Sequence, residues 1–260
     1  MNLSYAELLS AQSIDLENIG HLRRISVSEA QNAFKIYNSH VSICTSNVEE
    51  YYEQNNRLDE YDAMTLEEKS QINVFDLLTG SPDSLLLFQY ALNFFFDETV
   101  TWNADLAMFV LTDAEGKDCG IIFRDVWNEL RSLIAATNYI TLTESAADLS
   151  AIKSKKARKI AEKLQKGRKK LAAGKSKAQN SLSEFGNIVS IIASYMPGYT
   201  HFNIGDLTIY QLYDLYHRFQ INETYSIVRT SVAVWGDEKK QFDVTERQQN
   251  LHARQNKDSE

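Results

Sequence analysis

The stretch Leu207–Phe219 constrains the fold most, because it carries a nearly complete set of signals for one amphipathic helix. Thr208 and Gln211 have the spacing of a capping box, in which the Thr hydroxyl and the Gln amide satisfy free backbone N–H groups at a helix start. Apolar residues then recur at steps of three and four and form one wide stripe: Leu212, Leu215, Tyr216 and Phe219. We therefore expect a helix that begins near residue 208 and packs through an unusually aromatic face.

The predicted helix either continues or breaks near Asn222. Four later residues still fit one helical face: Tyr225, Val228, Val232 and Trp235. From Gly236 onward the sequence is polar and charged and has no periodicity, which is typical of a disordered tail.

Most of the remaining chain also has helical periodicity. Helices are predicted over 3–11, from Ser28 to about Tyr52, from Thr65 to Gly80, from Pro82 to about Asp97, from Asp125 to about Asn138 and over 181–196. The period changes over 106–123, where two short β-prone runs flank a loop, and this predicts one β-hairpin. The chain has 10 Gly and 2 Pro, too few for the many tight turns of a sandwich or barrel. We expect a mainly α protein, an irregular helical bundle with one small β-hairpin.

The pattern divides the chain into four parts. We predict a helical domain over 1–145 with the hairpin near 106–123, a basic helical linker over 146–180, a C-terminal helical subdomain over 181–236 and a disordered tail over 237–260. Within the first domain, the helix that starts at Pro82 is apolar nearly all round, so we expect it to be the central helix of the core. Residues 14–25 are predicted to be extended or irregular and 54–64 to be a loop.

The linker is the basic part of an acidic chain. Residues 153–177 hold twelve Lys and Arg against one acid, Glu162, while the whole chain has a net charge of −8. One interpretation is a solvated helix or partly ordered linker. The other is an electrostatic contact with nucleic acid or with an acidic protein surface, through Lys166, Arg168, Lys169 and Lys170. Because no aromatic residue interrupts the segment, a nucleic-acid contact would be to the backbone and sensitive to salt.

No pattern of catalytic or metal-ligating residues stands out. None of the five histidines pairs with another at a ligand spacing, and Gly174-Lys175-Ser176 lacks the preceding glycine spacing of a phosphate-binding loop. We expect no enzyme activity, no cofactor and no metal. Neither a signal peptide nor a run of about 18 apolar residues is present. Cys44 and Cys119 are predicted to be buried free thiols of a reduced, cytoplasmic protein.

Four blocks of the sequence resemble the tail assembly chaperones and related tail-module proteins of long-tailed phages and prophages of Gram-positive bacteria. They are Ile19-Gly20-His21-Leu22-Arg23, Val74–Leu78 followed by Leu92–Val100, the strand Gly120–Ile122, and Asp206–Asp214 with its leucine-threonine-x-tyrosine-glutamine signature. The last block is the most specific. The basic insert and the Gln- and Asn-rich C-terminal tail depart from the family pattern.

The resemblance implies a non-enzymatic binder in the cytoplasm of the bacterial host. Such chaperones coat the long, apolar, helical tape measure protein before the tail tube polymerises around it. The implied mechanism is that an aromatic groove receives an amphipathic helix. The candidate groove wall is Tyr210, Tyr213 and Tyr216, with Leu212 and Phe219 beside them; an ordinary aromatic core is the other interpretation. Two further functions stay open, a structural tail or neck protein of the virion that associates with itself, and a nucleic-acid-binding accessory protein.

Overall fold

The computed structural model describes residues 3–142 and 184–237, together with residues 242, 243, 245 and 248. The helices in these ranges are α1 Tyr5–Leu8, α2 Val27–Asn32, α3 Phe34–Thr45, α4 Val48–Gln54, α5 Leu58–Ala63, α6 Leu66–Gln71, α7 Val74–Thr79, α8 Pro82–Phe95, α9 Arg124–Thr137, α10 Phe185–Tyr195 and α11 Ile209–Trp235, with a 3-10 helix Ile204–Asp206 before α11. The strands are β1 Ile14–Leu16, β2 Gly20–Leu22, β3 Thr99–Asn103, β4 Met108–Thr112 and β5 Asp118–Ile122.

The predicted fold class is wrong, because the described residues form two antiparallel sheets instead of one hairpin. The predicted hairpin is present as β4 and β5, and β3 joins it in a three-stranded sheet of order β3-β4-β5. A second sheet pairs β1 with β2 inside residues 14–25, which we expected to be extended or irregular without assigning a sheet. The fold is therefore mixed α and β. Strands β1 and β2, of three residues each, give too short an alternation to be recognised in the sequence.

The long helix predicted from Ser28 to Tyr52 is three shorter helices. It begins earlier, because Ser26 and Glu29 form the capping box that starts α2. Ala33, with φ −137° and ψ 45°, separates α2 from α3, and Asn47 forms a new capping box at α4. The predicted loop over 54–64 contains α5, whose Tyr61 is buried.

The segment Gly20–Ile25 joins three parts of the molecule through its backbone. The Arg23 N–H donates to the Phe95 carbonyl at the end of α8, and the Asp97 N–H donates to the His21 carbonyl. The Ile209 N–H at the start of α11 donates to the Ile25 carbonyl at 3.0 Å. The segment Gly20–Ile25 therefore connects the β1-β2 sheet to α8 and to the start of α11.

The two sheets meet at Gly120 in β5. A Cβ on this residue would lie 2.1 Å from the Ile19 carbonyl oxygen, so a side chain there would collide with the backbone. The adjacent Ile121 N–H donates to the Asn18 carbonyl at 3.1 Å. The glycine therefore permits the close approach that joins β5 to the turn between β1 and β2.

Helix α8, which we expected to be the central helix of the core, contributes one apolar face to the core and leaves another exposed. Phe88, Ala91, Leu92 and Phe95 are buried, while Leu86, Leu87 and Tyr90 are about half exposed. The buried face lies in an aromatic cluster in which the Phe88 and Trp127 rings are 4.7 Å apart, edge to face. Residues of α10 and α11 belong to the same continuous core. Of the two cysteines, Cys44 is buried as predicted, but Cys119 is exposed.

Candidate partner-binding groove

Helix α11 begins as the sequence predicts. The Thr208 hydroxyl accepts the Gln211 N–H at 3.2 Å, and the Gln211 side-chain oxygen accepts the Thr208 N–H at 2.9 Å. The amide group of Gln211 also donates to the Leu9 carbonyl at 2.7 Å, beyond α1. The capping box therefore starts the helix and also attaches it to the N-terminal segment.

Three of the five predicted binding residues lie in the core. Leu212 is 0% exposed, Tyr210 is 1% and Tyr216 is 8%. They face the protein interior, and in this structure their surface is covered. Tyr213 and Phe219 remain partly exposed. The aromatic stripe of α11 therefore divides into a core side and an accessible edge.

A hydrogen-bond network between α1 and α11 fixes the orientation of α11. The Tyr5 hydroxyl of α1 donates to the Asp214 carboxylate at 2.5 Å, and the Arg218 guanidinium donates to the same hydroxyl at 3.0 Å. Asp214 is 6% exposed. Burial raises the pKa of Tyr5, so this hydroxyl keeps its proton and stays a donor at neutral pH.

Tyr139 connects the end of α9 to α11. Its ring stacks on those of Tyr213 and His217, with centroids 5.5 Å and 5.1 Å apart and interplanar angles of 14° and 15°. Its backbone has φ 60°, in the left-handed region where a residue other than Gly is strained by about 1–2 kcal/mol. Such a conformation persists where surrounding contacts compensate for it, and the stack on α11 provides them.

A groove of about 490 Å³ opens beside this stack. Its walls come from α3, the end of α9, the start of α10 and α11, and are lined by Phe34, Tyr37, Asn38, Val41, Asn138, Tyr139, Ile140, Glu184, Phe185 and Tyr213. The volume is in the range of pockets that accept small molecules or a few side chains.

The groove is largely aromatic and holds a few fixed polar groups. Deep in it, the Tyr37 hydroxyl donates to the Asn138 side-chain oxygen at 3.1 Å. Burial raises the pKa of Tyr37, Tyr139 and Tyr213, so these three phenols are neutral at physiological pH. Glu184 is therefore the lining residue that carries charge. This arrangement suits an apolar ligand with a positive group near one edge.

Phe219, the second predicted binding residue that is partly exposed, does not line the groove. Its ring stacks on Tyr195 at the end of α10, with centroids 5.5 Å apart, and Tyr195 is 67% exposed. The structure thus brings Tyr213 into the groove and separates Phe219 from it.

The basic candidates Lys166, Arg168, Lys169 and Lys170 fall outside the described residues.

Sequence reasoning missed most of the groove. Phe34 and Tyr37 lay on a predicted helical face, but nothing in the sequence indicated that they would meet Tyr139 and Tyr213. The available signal was Asn138, directly after the last periodic residue of α9, because a helix end often brings the next residue into the left-handed conformation, as it does Tyr139 with φ 60°.

The described residues hold no group of three or more His, Cys, Asp or Glu side chains placed to bind a metal ion. Within the same ranges, none of the helices is both long and apolar enough to cross a membrane.

A comparison with protein families gives a match to part of the chain. The model of the YomV second-domain family matches residues 175–250, which include α10, α11 and the groove residues Glu184, Phe185 and Tyr213. YomV is a Bacillus phage gene, so the match suggests a phage-related protein. The match covers less than half of the chain. Neither the curated proteins nor the solved structures contain a match.

Proposed function

We propose that this protein is a non-enzymatic tail assembly chaperone of a phage, which binds an amphipathic helix of the tape measure protein in the host cytoplasm. The observation that carries the proposal is the aromatic groove of about 490 Å³. The similarity of residues 175–250 to a phage family and the phage-like block Asp206–Asp214 support it.

The proposed mechanism is physical. The groove takes two or three apolar side chains from one face of a client helix and removes them from water. Tyrosine walls provide contact area at low entropic cost and adapt to different side chains, which suits a client that presents many similar apolar stretches. Glu184 at the edge favours a helix with Lys or Arg beside its apolar face.

The test is to recover partners of the tagged chain from cells that also express the neighbouring genes. We compare the wild type with Asn38→Trp, because Asn38 lines the groove, is exposed and lies on α3. The indole should fill the groove and reduce client binding by about 10-fold or more. The matched control is Lys35→Trp, on the same helix and exposed but outside the lining.

Recovery of a long helical protein that survives nuclease treatment and moderate salt, and is lost in Asn38→Trp alone, would support the proposal. Equal recovery by both variants would show that the groove is not the client site. Nucleic acid that washes off with salt would instead favour the basic segment as the functional surface. Recovery of the chain by itself as a large oligomer would favour a structural virion protein.

A further inference from the structure

The second half of α11 carries an apolar stripe that the core does not cover. The stripe consists of Ile221, Tyr225, Val228, Val232 and Trp235. Trp235 is 80% exposed and Val228 is 40%. Large exposed apolar residues grouped on one face mark an interaction surface more often than a chance feature of a soluble protein.

The spacing of the stripe indicates the geometry of its partner. Its residues follow one another at steps of four, three, four and three, which is the alternation of a and d positions in a heptad repeat. Over two heptads such a stripe stays in line with one neighbouring helix. Residues 221–235 span about 21 Å, or two heptads.

We propose that this stripe is a self-association surface, through which two copies of the chain pair their α11 helices antiparallel. The charge distribution favours a second copy as the partner. The whole chain has a net charge of −8, but the stripe region contains one acid, Glu223, and one base, Arg229, which cancel. Two acidic bodies can therefore meet there without local repulsion, and an antiparallel arrangement places the bodies at opposite ends of the helix pair.

The arrangement of the stripe is compatible with itself. A two-fold axis near the middle brings small valines together at the centre and sets the aromatic residues toward the two ends. Because three of the five side chains in each copy are already partly covered, two copies would bury at most about 1,000 Å² in total, which is the size of a weak or transient interface. We therefore expect a dimer with a dissociation constant on the order of micromolar.

The C-terminal tail already shows that the stripe accepts a ring. Gly236 ends α11 with φ 78°, and beyond it the Phe242 ring lies 5.3 Å from that of Tyr225. The Phe242 N–H donates to the Asp237 carboxylate at 3.0 Å. This contact covers one of the five stripe positions, whereas Val228 and Trp235 stay exposed for a second copy.

Sedimentation of the full chain from about 1 to about 200 µM tests the proposal. The wild type should change from one chain of 29.7 kDa to two. Val228→Glu places a charge in the stripe and should raise the dissociation constant at least 10-fold. The matched control is Ile227→Glu, because Ile227 is adjacent, is 68% exposed and lies outside the stripe; it should dimerise nearly as the wild type does.

A second readout needs no variant. Trp235 should become less accessible to a soluble quencher as the wild-type concentration rises, while the buried Trp127 and the partly exposed Trp102 of β3, which lies outside the stripe, contribute a constant background. The proposal is independent of the proposed function, since Asn38→Trp changes the groove and should leave the dimer unchanged.

Two results would overturn the proposal. The wild type could remain a monomer over the whole range, or Ile227→Glu could disrupt the dimer as much as Val228→Glu. A monomer that loses client capture in Val228→Glu would show that the stripe receives the client helix, and a monomer that dimerises only after Phe242→Ala would show that the tail occupies it.

Discussion

The two halves of helix α11 have similar apolar patterns and opposite environments. In the first half, up to Phe219, Leu212 and Tyr210 are almost completely buried. In the second half, from Gln220 to Trp235, Ile227, Val234 and Trp235 are 65% exposed or more. Helical periodicity therefore identifies an apolar stripe, whereas packing against the rest of the chain determines whether that stripe is buried or exposed.

The largest difference between the halves should appear when one apolar side chain is truncated in each. Leu212→Ala removes a fully buried side chain and should lower the free energy of unfolding by about 2–4 kcal/mol. Val228→Ala, in the exposed half, should lower it by less than about 0.5 kcal/mol at concentrations where the chain is a monomer. Denaturant titration measures both, and equal effects would mean that the two halves do not differ as described.

A smaller difference in stability is expected between removing a hydroxyl that is hydrogen-bonded to the buried half of α11 and removing an exposed hydroxyl. Tyr5→Phe removes the donor to Asp214 and the acceptor for Arg218, and leaves a buried carboxylate with fewer partners. It should lower the free energy of unfolding by about 1–2 kcal/mol. Tyr195→Phe is the control, since Tyr195 is 67% exposed and should tolerate the change. Thermal melts that fail to separate these variants would contradict the role given to the Asp214 network.

The smallest effect on the free energy of unfolding should come from pH, and it should arise at the pair His21–Glu98, away from α11. The His21 ring lies 2.6 Å from the Glu98 carboxylate, and this hydrogen bond raises the pKa of His21. The folded protein therefore binds this proton more tightly than the unfolded chain, whose His titrates near 6.5. The stabilisation is complete below that pH and is lost as the pH rises through the raised pKa.

Denaturation of the wild type and His21→Asn between about pH 5 and pH 8 isolates this contribution from that of His40, whose pKa burial lowers. The gap between the two proteins should narrow as the pH rises. The effect should be modest because the His21 side chain is 54% exposed. A gap that widens with pH would show that the pair acts in the opposite sense.

Local signals in the sequence predicted much of the helical structure. The capping box of Thr208 with Gln211 is confirmed, and the helix start predicted at Thr65 has a capping box with Glu68. They were recognisable because both partners lie within one turn, so no knowledge of the fold is needed. The hairpin of β4 and β5 is confirmed for the same reason, since a short loop connects its strands.

Features that depend on distant contacts were not predictable from this one sequence. Strand β3 is recognisable as a strand through its pairing with β4, and β2 through contacts with β1 and Phe96. The groove brings Tyr37, Tyr139 and Tyr213 together from three separate helical regions. Each has an ordinary local pattern, and their meeting depends on how the whole chain packs.

Hydrogen exchange along α11 tests most directly whether one helix occupies two environments. The full chain is measured at a concentration of about 0.05 µM, well below the expected micromolar dissociation constant of the dimer. Amides of residues 212–219 should be protected at least about a thousandfold more than those of residues 226–235, because they open only when the core opens. Uniform protection along α11 would contradict the account, since it would mean that the second half is packed as firmly as the first.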